Sequence, residues 1–389
     1  MAKNLFNIDD ALLFESDLNE EDRLIMETAR DYAQSKLEPR ALKGNTEEYF
    51  DREIAKEMGE MGLLGVTIPE EYGGAGLDQI SYGLIMQEIE RGVSGVRSTA
   101  SVQSSLVMYP IFKFGSEAQR KTYLPKLASG EFMGCFGLTE PDHGSNPGGM
   151  VTNFKDKGDH YILNGAKMWI SNAPFADIAV VWAKDESGRI HGLIVERGME
   201  GFSTTTTHNK WSLRASATGE LIFDNVKVPI ENLIGKEGEG FKIALATLDG
   251  GRIGIASQAL GIAQAALNAS VSYSNERIQF GKPISKNQAI QFKIADMGME
   301  IEAARLLIRQ AAWKKDQKQN YGHIASMAKV YASEVAMRAS TQCVQIHGGF
   351  GYMRESGIER LMRDAKITQI YEGTSEIQRV VIARELLKK

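Results

Sequence analysis

Cysteine is scarce in this sequence: only Cys135 and Cys343 occur in 389 residues, far apart in the chain. That argues against a disulfide framework and fits a reducing cytosol. The six histidines, His143, His160, His191, His208, His323 and His347, are scattered. None pairs with Cys, Asp or Glu at ligand spacing, so no metal site is expected. No run of about 18 or more apolar residues occurs, so no segment is expected to insert in a membrane. The stretch "MAKNLFNIDDALLFESDL" lacks the charged-then-apolar pattern of a secretion signal and the arginines of a transit peptide. A cytoplasmic protein is the expectation. Basic excess is missing too: 45 Lys and Arg against 50 Asp and Glu, interspersed, give a net charge of −5 and no footprint for nucleic acid.

What is present is ordinary for a globular chain, with 43% hydrophobic and 24% charged residues. The length suggests two or three domains. Residues 1–130 read as helical. "NEEDRLIMETARDYAQSKLEPR" offers Asn19 as an N-cap and apolar positions at helical spacing, and "GSEAQRKTYLPKL" offers Ser116 as another cap. Over residues 131–236 the period changes. "HYILNG", "ADIAVVWAKD", "GRIHGLIVE" and "GELIFDNVKVP" are short, β-rich and separated by turn signals, which predicts a small β domain. Over residues 237–389 long helical patterns return, and the last helix begins near Ser375. Four helices in series predict an antiparallel bundle.

Several stretches stand out chemically. "CFGLTEPDHGSN", residues 135–146, has glycines and serine around a Thr-Glu-Pro turn. Such a loop is either a tight surface turn or a place where backbone N–H groups meet polar ring atoms or phosphates. "KMWISN" puts Trp169 and Ser171 at a strand end, suited to the core or to flanking a planar cofactor. "RIQFGKPI" places Arg277, Gln279 and Phe280 in a turn, and "QIHGGFGY" is a glycine-rich helix end. "QIYEGTSEIQR" sets Glu372 and Glu376 close together, the first beside Tyr371 and Ile370, where an ionised carboxylate is costly.

In this order the stretches closely resemble the acyl-CoA dehydrogenase family of flavoenzymes, from about residue 18 to residue 387. The resemblance implies an α+β, mainly α fold: an N-terminal helical domain, a middle β-barrel and a C-terminal four-helix bundle, assembled as a homotetramer. It implies FAD, with Phe136, Leu138, Thr139, Gly144, Ser145, Trp169, Ile170 and Ser171 around the flavin. Arg277, Gln279, Phe280, Gln288, Gln345 and Gly349 match positions that serve a neighbouring subunit's FAD. Thr374 and Glu376 match positions near the adenosine, although Glu376 stands where relatives commonly carry Gln.

The Glu of "YEG" is the family's catalytic base, so the resemblance assigns that role to Glu372. The α-C–H of a thioester is a weak acid, and desolvation strengthens a carboxylate that must remove its proton. The backbone N–H of Glu372 is then a donor to the developing enolate oxygen. Tyr371, Gly373 and Ser145 line the substrate in the same comparison. "LDGGRIGIA" matches the helix bordering the CoA chain, with Asp249 and Arg252 as its polar pair. In "ERGVSGVRSTASVQSSLVMYP", Arg97 is either a structural charge paired with Glu90 or an anchor for a substrate anion. "RSTASVQSSLVM", "GCFGLTEP" and "KWSLRASATGE" resemble the glutaryl-CoA dehydrogenase branch. That branch implies that Arg97 and Ser98 hold the distal carboxylate, with Glu90 tuning them. The expected reaction is glutaryl-CoA to glutaconyl-CoA, then decarboxylation to crotonyl-CoA, with electron-transferring flavoprotein as acceptor. The C-terminal "GTSEIQRVVIARELL" looks more like the short-chain members. The alternatives are therefore a dehydrogenase of another short-chain or cyclic acyl-CoA, or a glutaryl-CoA dehydrogenase that does not decarboxylate.

Overall fold

The computed structural model describes residues 7–12 and 14–388. Among the described residues seven α-helices precede the main sheet: α1 (Glu20–Tyr32), α2 (Glu38–Glu47), α3 (Glu53–Glu60), α4 (Gln79–Gly92), α5 (Ser94–Ser101), α6 (Tyr109–Phe114) and α7 (Glu117–Ala128). Five follow it: α8 (Gly240–Glu276), α9 (Gln288–Asp316), α10 (Gly322–His347), α11 (Ile358–Thr368) and α12 (Ser375–Leu386). The order is helical, sheet, helical, as the sequence predicts.

The caps explain where several helices start. The Asn19 side chain accepts from the Asp22 N–H and opens α1. Ser116 and Gln119 form a reciprocal capping box at α7. Thr374 accepts from the Ile377 N–H and opens α12.

By spatial contacts the chain forms two units. One comprises residues 1–42, 79–94 and 252–389; the other comprises residues 43–78 and 95–251. In the first, the interior is a layer of small side chains. Ala259, Ala263 and Ala266 of α8, Ala304 and Ala311 of α9, and Ala328, Ala332 and Ala336 of α10 are all buried. Methyl-sized contacts let helix axes approach closely, so polar side chains in the same layer sit near backbone from neighbouring helices. Where one further long helix is expected, two short ones, α11 and α12, pack on α10. Residues 369–374 turn between them.

The second unit is built on one sheet. Its strands are β1 (Gly134–Gly137), β2 (Asn153–Asp156), β3 (His160–Ser171), β4 (Ile178–Lys184), β5 (Ile190–Glu196), β6 (Phe202–Thr204), β7 (Thr218–Pro229) and β8 (Leu233–Ile234). The order is β6-β7-β3-β2-β4-β5-β8, with β1 parallel to β4. Strands β4 and β5 are buried over Ile178–Ala183 and Ile190–Val195, which is why they read as continuous apolar runs rather than alternations. Beside the sheet, buried Gln103 donates to the carbonyls of Leu127 and Phe132 and accepts from the Gly134 N–H, fixing the start of β1.

The pairing of β3 with β7 is antiparallel but shifts register between Lys167 and Ile170, opposite Gly219. A Cβ on Gly219 falls 1.8 Å from the Thr205 carbonyl oxygen. Backbone cannot yield as a flexible side chain does. Gly219→Ala is therefore expected to lose about 1–3 kcal/mol of stability. A thermal melt showing wild-type stability would contradict this packing.

Candidate active site

The turn after α11 carries the carboxylate that the sequence singles out. Glu372 adopts φ 55° and Gly373 φ 85°. A left-handed glutamate costs about 1–2 kcal/mol, so its surroundings must hold it. Lys329 of α10 donates from Nζ to the Gly373 carbonyl at 2.7 Å. Gln378 of α12 donates from Nε2 to the carbonyls of Glu372 and Gly373, at 3.1 and 2.9 Å. The Ser375 N–H reaches the Gln369 carbonyl at 2.9 Å and closes the loop. The Tyr371 hydroxyl donates to Oε1 of Gln258 on α8. Glu372 and Tyr371 are half-buried, whereas Ile370 is 49% exposed. The apolar shielding expected from Ile370 is therefore absent, because its side chain faces solvent.

Arg252, on α8, is buried and donates to the Ser326 hydroxyl at 3.3 Å. Lys329 feels Glu372, Arg252 and Glu376 together, so these charges share one neighbourhood. Burial pushes the Lys329 ammonium down to about 8; Glu372 pulls it back up and Arg252 lowers it further. Glu376 lies exposed in the first turn of α12, where a backbone N–H and the Thr374 hydroxyl hold it below the usual carboxylate range.

The other unit carries a platform. At the register shift in β3, Trp169 takes φ 60° and leaves its indole 58% exposed. The Thr139 carbonyl accepts from the Met168 N–H at 2.9 Å. Fully buried Lys167 donates to the Leu138 carbonyl at 3.2 Å and to Glu140 at 2.8 Å. Burial pushes Lys167 down to about 8, partly offset by Glu140. Burial raises Glu140, but donors from Lys167, Thr152 and Val151 outweigh it and hold the carboxyl below its usual range. The exit of β1 is thus bolted to the bulge of β3. Phe136, Leu138, Thr139, Ile170 and Ser171 lie on these two strands or just beyond β1. Gly144 and Ser145 are exposed on the loop after them, with no atom within 4 Å of where a Gly144 Cβ would stand. An uncovered indole on a strained bulge, beside an open loop with a hydroxyl, fits a flat, polar-edged ring such as a flavin.

A third group lies in the first unit. Arg277 follows α8 directly and leads into the hairpin β9 (Ile278–Gln279) and β10 (Lys282–Pro283). Phe280 and Gly281, with φ 51° and 75°, form its two-residue turn, which demands left-handed backbone twice. Phe280 is 98% exposed. Tyr273 stacks on His347 and Phe350 at 4.3 and 6.0 Å between centroids, tying the end of α8 to the end of α10. That brings the hairpin and exposed Gln345 and Gly349 to one end, with Gln288 exposed at the start of α9.

Glu90, at the end of α4, is buried and accepts from the Ser94 hydroxyl. In the second unit Arg97 and Ser98 of α5 are buried, Arg97 completely. Asp249 there is half-buried and raises the Tyr109 hydroxyl, secondary to burial. Sequence reading did not single out Lys329, Gln378, Gln258 or the Lys167–Glu140 pair. A signal existed for one: Lys329 interrupts the small-residue face Ala325, Ala328, Ala332 and Ala336 of α10, where a charge needs a reason.

Models of the acyl-CoA dehydrogenase N-terminal, middle and C-terminal domains match residues 19–131, 135–226 and 238–387. The chain belongs to the acyl-CoA dehydrogenase family. It is 46% identical to the short-chain specific mitochondrial acyl-CoA dehydrogenase of Rattus norvegicus, over 96% of this chain and 91% of that protein. It is similar to the butyryl-CoA dehydrogenase of Megasphaera elsdenii, with TM-score 0.93 and 45% identity over 95% of this chain and 99% of that one. It is also similar to a glutaryl-CoA dehydrogenase of Mycobacterium smegmatis in complex with FADH2, with TM-score 0.95 and 37% identity over 99% of both chains. It is thus an FAD-dependent acyl-CoA dehydrogenase.

The left-handed turn generates a test that needs no substrate. Glu372→Gly relieves the backbone strain and adds about 0.5–1 kcal/mol of unfolded-state entropy cost. The variant is expected to melt no lower than wild type. A clear loss of stability would mean that the Glu372 side chain, rather than Lys329 and Gln378, holds the loop.

Proposed function

We propose that the protein oxidises a short-chain acyl-CoA thioester at its Cα–Cβ bond, with Glu372 as the general base. The observation that carries this is the left-handed, half-buried Glu372, held through its own and Gly373's carbonyls by Lys329 and Gln378. Its carboxylate removes the α-proton, while its backbone N–H donates to the thioester carbonyl oxygen as negative charge develops there. FAD, when bound, supplies the acceptor for the β-hydride. Trp169, Ser171, Thr139 and the 138–145 stretch hold the ring, Ser145 and Tyr371 approach the substrate, and Asp249 and Arg252 border its CoA chain. The higher identity to short-chain and butyryl-CoA dehydrogenases supports a small acyl group.

A second reading is favoured by one observation. Arg97 is completely buried beside Ser98, and a buried guanidinium suits a substrate that brings its own anion, as glutaryl-CoA does. On that reading Glu90 tunes the pair, and loss of CO2 follows oxidation.

The assembly is proposed to be a homotetramer. Phe292, Met299, Leu306 and Trp313 repeat every seven residues along α9 and are 63, 68, 48 and 44% exposed, an apolar ridge suited to another copy. The outward hairpin with Arg277, Gln279 and Phe280, together with Gln288, Gln345 and Gly349, is then available to a neighbouring subunit's FAD; Thr374 and Glu376 lie toward an adenosine. Electron-transferring flavoprotein is the proposed acceptor. No helix among the described residues is long and apolar enough to cross a membrane, and both thiols are free and buried, in keeping with the cytoplasm.

Two measurements test the reading. Glu372→Gln keeps the shape and removes the base, so anaerobic bleaching of the flavin by acyl-CoA is expected to slow by about 10²–10⁴-fold. Bleaching at the wild-type rate would place the base elsewhere. The acyl group is decided by kcat/KM for butyryl-CoA and glutaryl-CoA, with products identified by mass spectrometry. Wild type is expected to prefer butyryl-CoA, and Arg97→Met to affect the two thioesters alike. A preference for glutaryl-CoA that Arg97→Met abolishes by roughly ten- to a hundredfold establishes the second reading instead.

A further inference from the structure

Lys329 is fully buried on α10. A methionine would fill similar volume without the cost of burying an ammonium. What the lysine adds to that volume is a hydrogen bond and a positive charge, both delivered at the turn. Its Nζ lies 2.7 Å from the Gly373 carbonyl, the residue after Glu372. The charged groups facing it are Glu372 from the turn, Glu376 from α12, Arg252 from α8 and Glu334 from its own helix. Glu334 is engaged by Gln369 and Arg379, and Glu376 is exposed, whereas Glu372 is half-buried in the very turn whose carbonyl the ammonium holds. Gln378 already donates to the same Gly373 carbonyl, at 2.9 Å. The hydrogen bond is therefore duplicated, whereas the positive charge is not supplied by Gln378.

We propose that Lys329 is a positioning residue for Glu372 whose ammonium, besides anchoring the turn, keeps the neighbouring carboxylate ionised in its half-buried setting. This rests on reading Glu372 as the base. A cation close to a carboxylate favours its charged form, so removing the cation raises the pH at which the base becomes competent. The Lys329 ammonium, with its value near 8, is present through neutral pH, where the base must act.

The experiment is anaerobic single-turnover bleaching of the holoenzyme by butyryl-CoA or glutaryl-CoA, whichever wild type bleaches faster, between about pH 5.5 and 8. Three variants separate the roles. Lys329→Met removes donor and charge, Lys329→Gln keeps an amide donor without charge, and Lys329→Arg keeps charge. The acid limb of the rate profile is expected to move up by about one pH unit in Lys329→Met and Lys329→Gln, and to stay in place in Lys329→Arg. A limb that stays at its wild-type position in Lys329→Gln and Lys329→Met, with only a lowered melting temperature, overturns the proposal and leaves Lys329 a structural anchor. Should Lys329→Met fail to fold, Lys329→Gln alone decides. Glu372→Gln run in parallel separates the two claims: if it keeps both rate and limb, the base reading has failed, whatever the lysine variants show.

Discussion

A carbonyl gripped by a buried ammonium is the contact on which the Glu372 turn depends. Left-handed backbone at a glutamate is unfavourable, and the Ser375 N–H, closing on the Gln369 carbonyl, is the local part of what holds it. The rest comes from α10 and α12, through Lys329 and Gln378. Lys329 reaches the turn from α10, whose Ala325, Ala328, Ala332 and Ala336 pack in the small-residue core, whereas Gln378 lies on the helix that the turn itself opens. A larger core residue at Ala328 or Ala332 would push the grip open before it altered anything chemical.

The other unit repeats the device. Lys167, fully buried, holds the Leu138 carbonyl and sits two residues from Trp169, another non-glycine with positive φ. In both places a residue with left-handed backbone, proposed above to act on cofactor or substrate, lies next to a buried lysine on a backbone oxygen. Backbone strain of this kind persists where the surroundings over-determine it. The pairing of strain and buried charge marks the two sites in a chain with no metal cluster among its described residues.

How much of this was legible depended on how local the cause was. Helix starts at Asn19, Ser116 and Thr374 follow from cap chemistry within three residues, and the patterns around them point to those elements. Strands β3, β4, β5 and β7 show their period or their apolar run. The four-residue strand β1 does not, because "GCFG" is glycine at both ends and reads as a turn; it is a strand because β4 pairs with it and Gln103 pins it. The bulge at Trp169 is also silent in the sequence, since alternation says nothing about φ. Glu372 stands out as a carboxylate set among apolar neighbours, while its proposed role as base comes from the resemblance of its motif to a known family. The residue gripping its turn was missed because Lys329 precedes Gly373 by 44 positions, and only the packing of α10 brings them together.

The two buried lysines also make folding a proton-releasing event. In the unfolded chain each ammonium titrates near its ordinary value of 10.5; in the native state Lys167 and Lys329 both fall to about 8. Between those values the native protein binds fewer protons than the unfolded one, so these groups add stability as pH rises from about 8. Cys135 and Cys343, pushed up by burial to about 12 and about 11 from an ordinary value of 9.0, act in the opposite sense above pH 9. The same ammoniums that hold the backbone beside Trp169 and Glu372 thus tax the fold most at neutral pH, where both are charged.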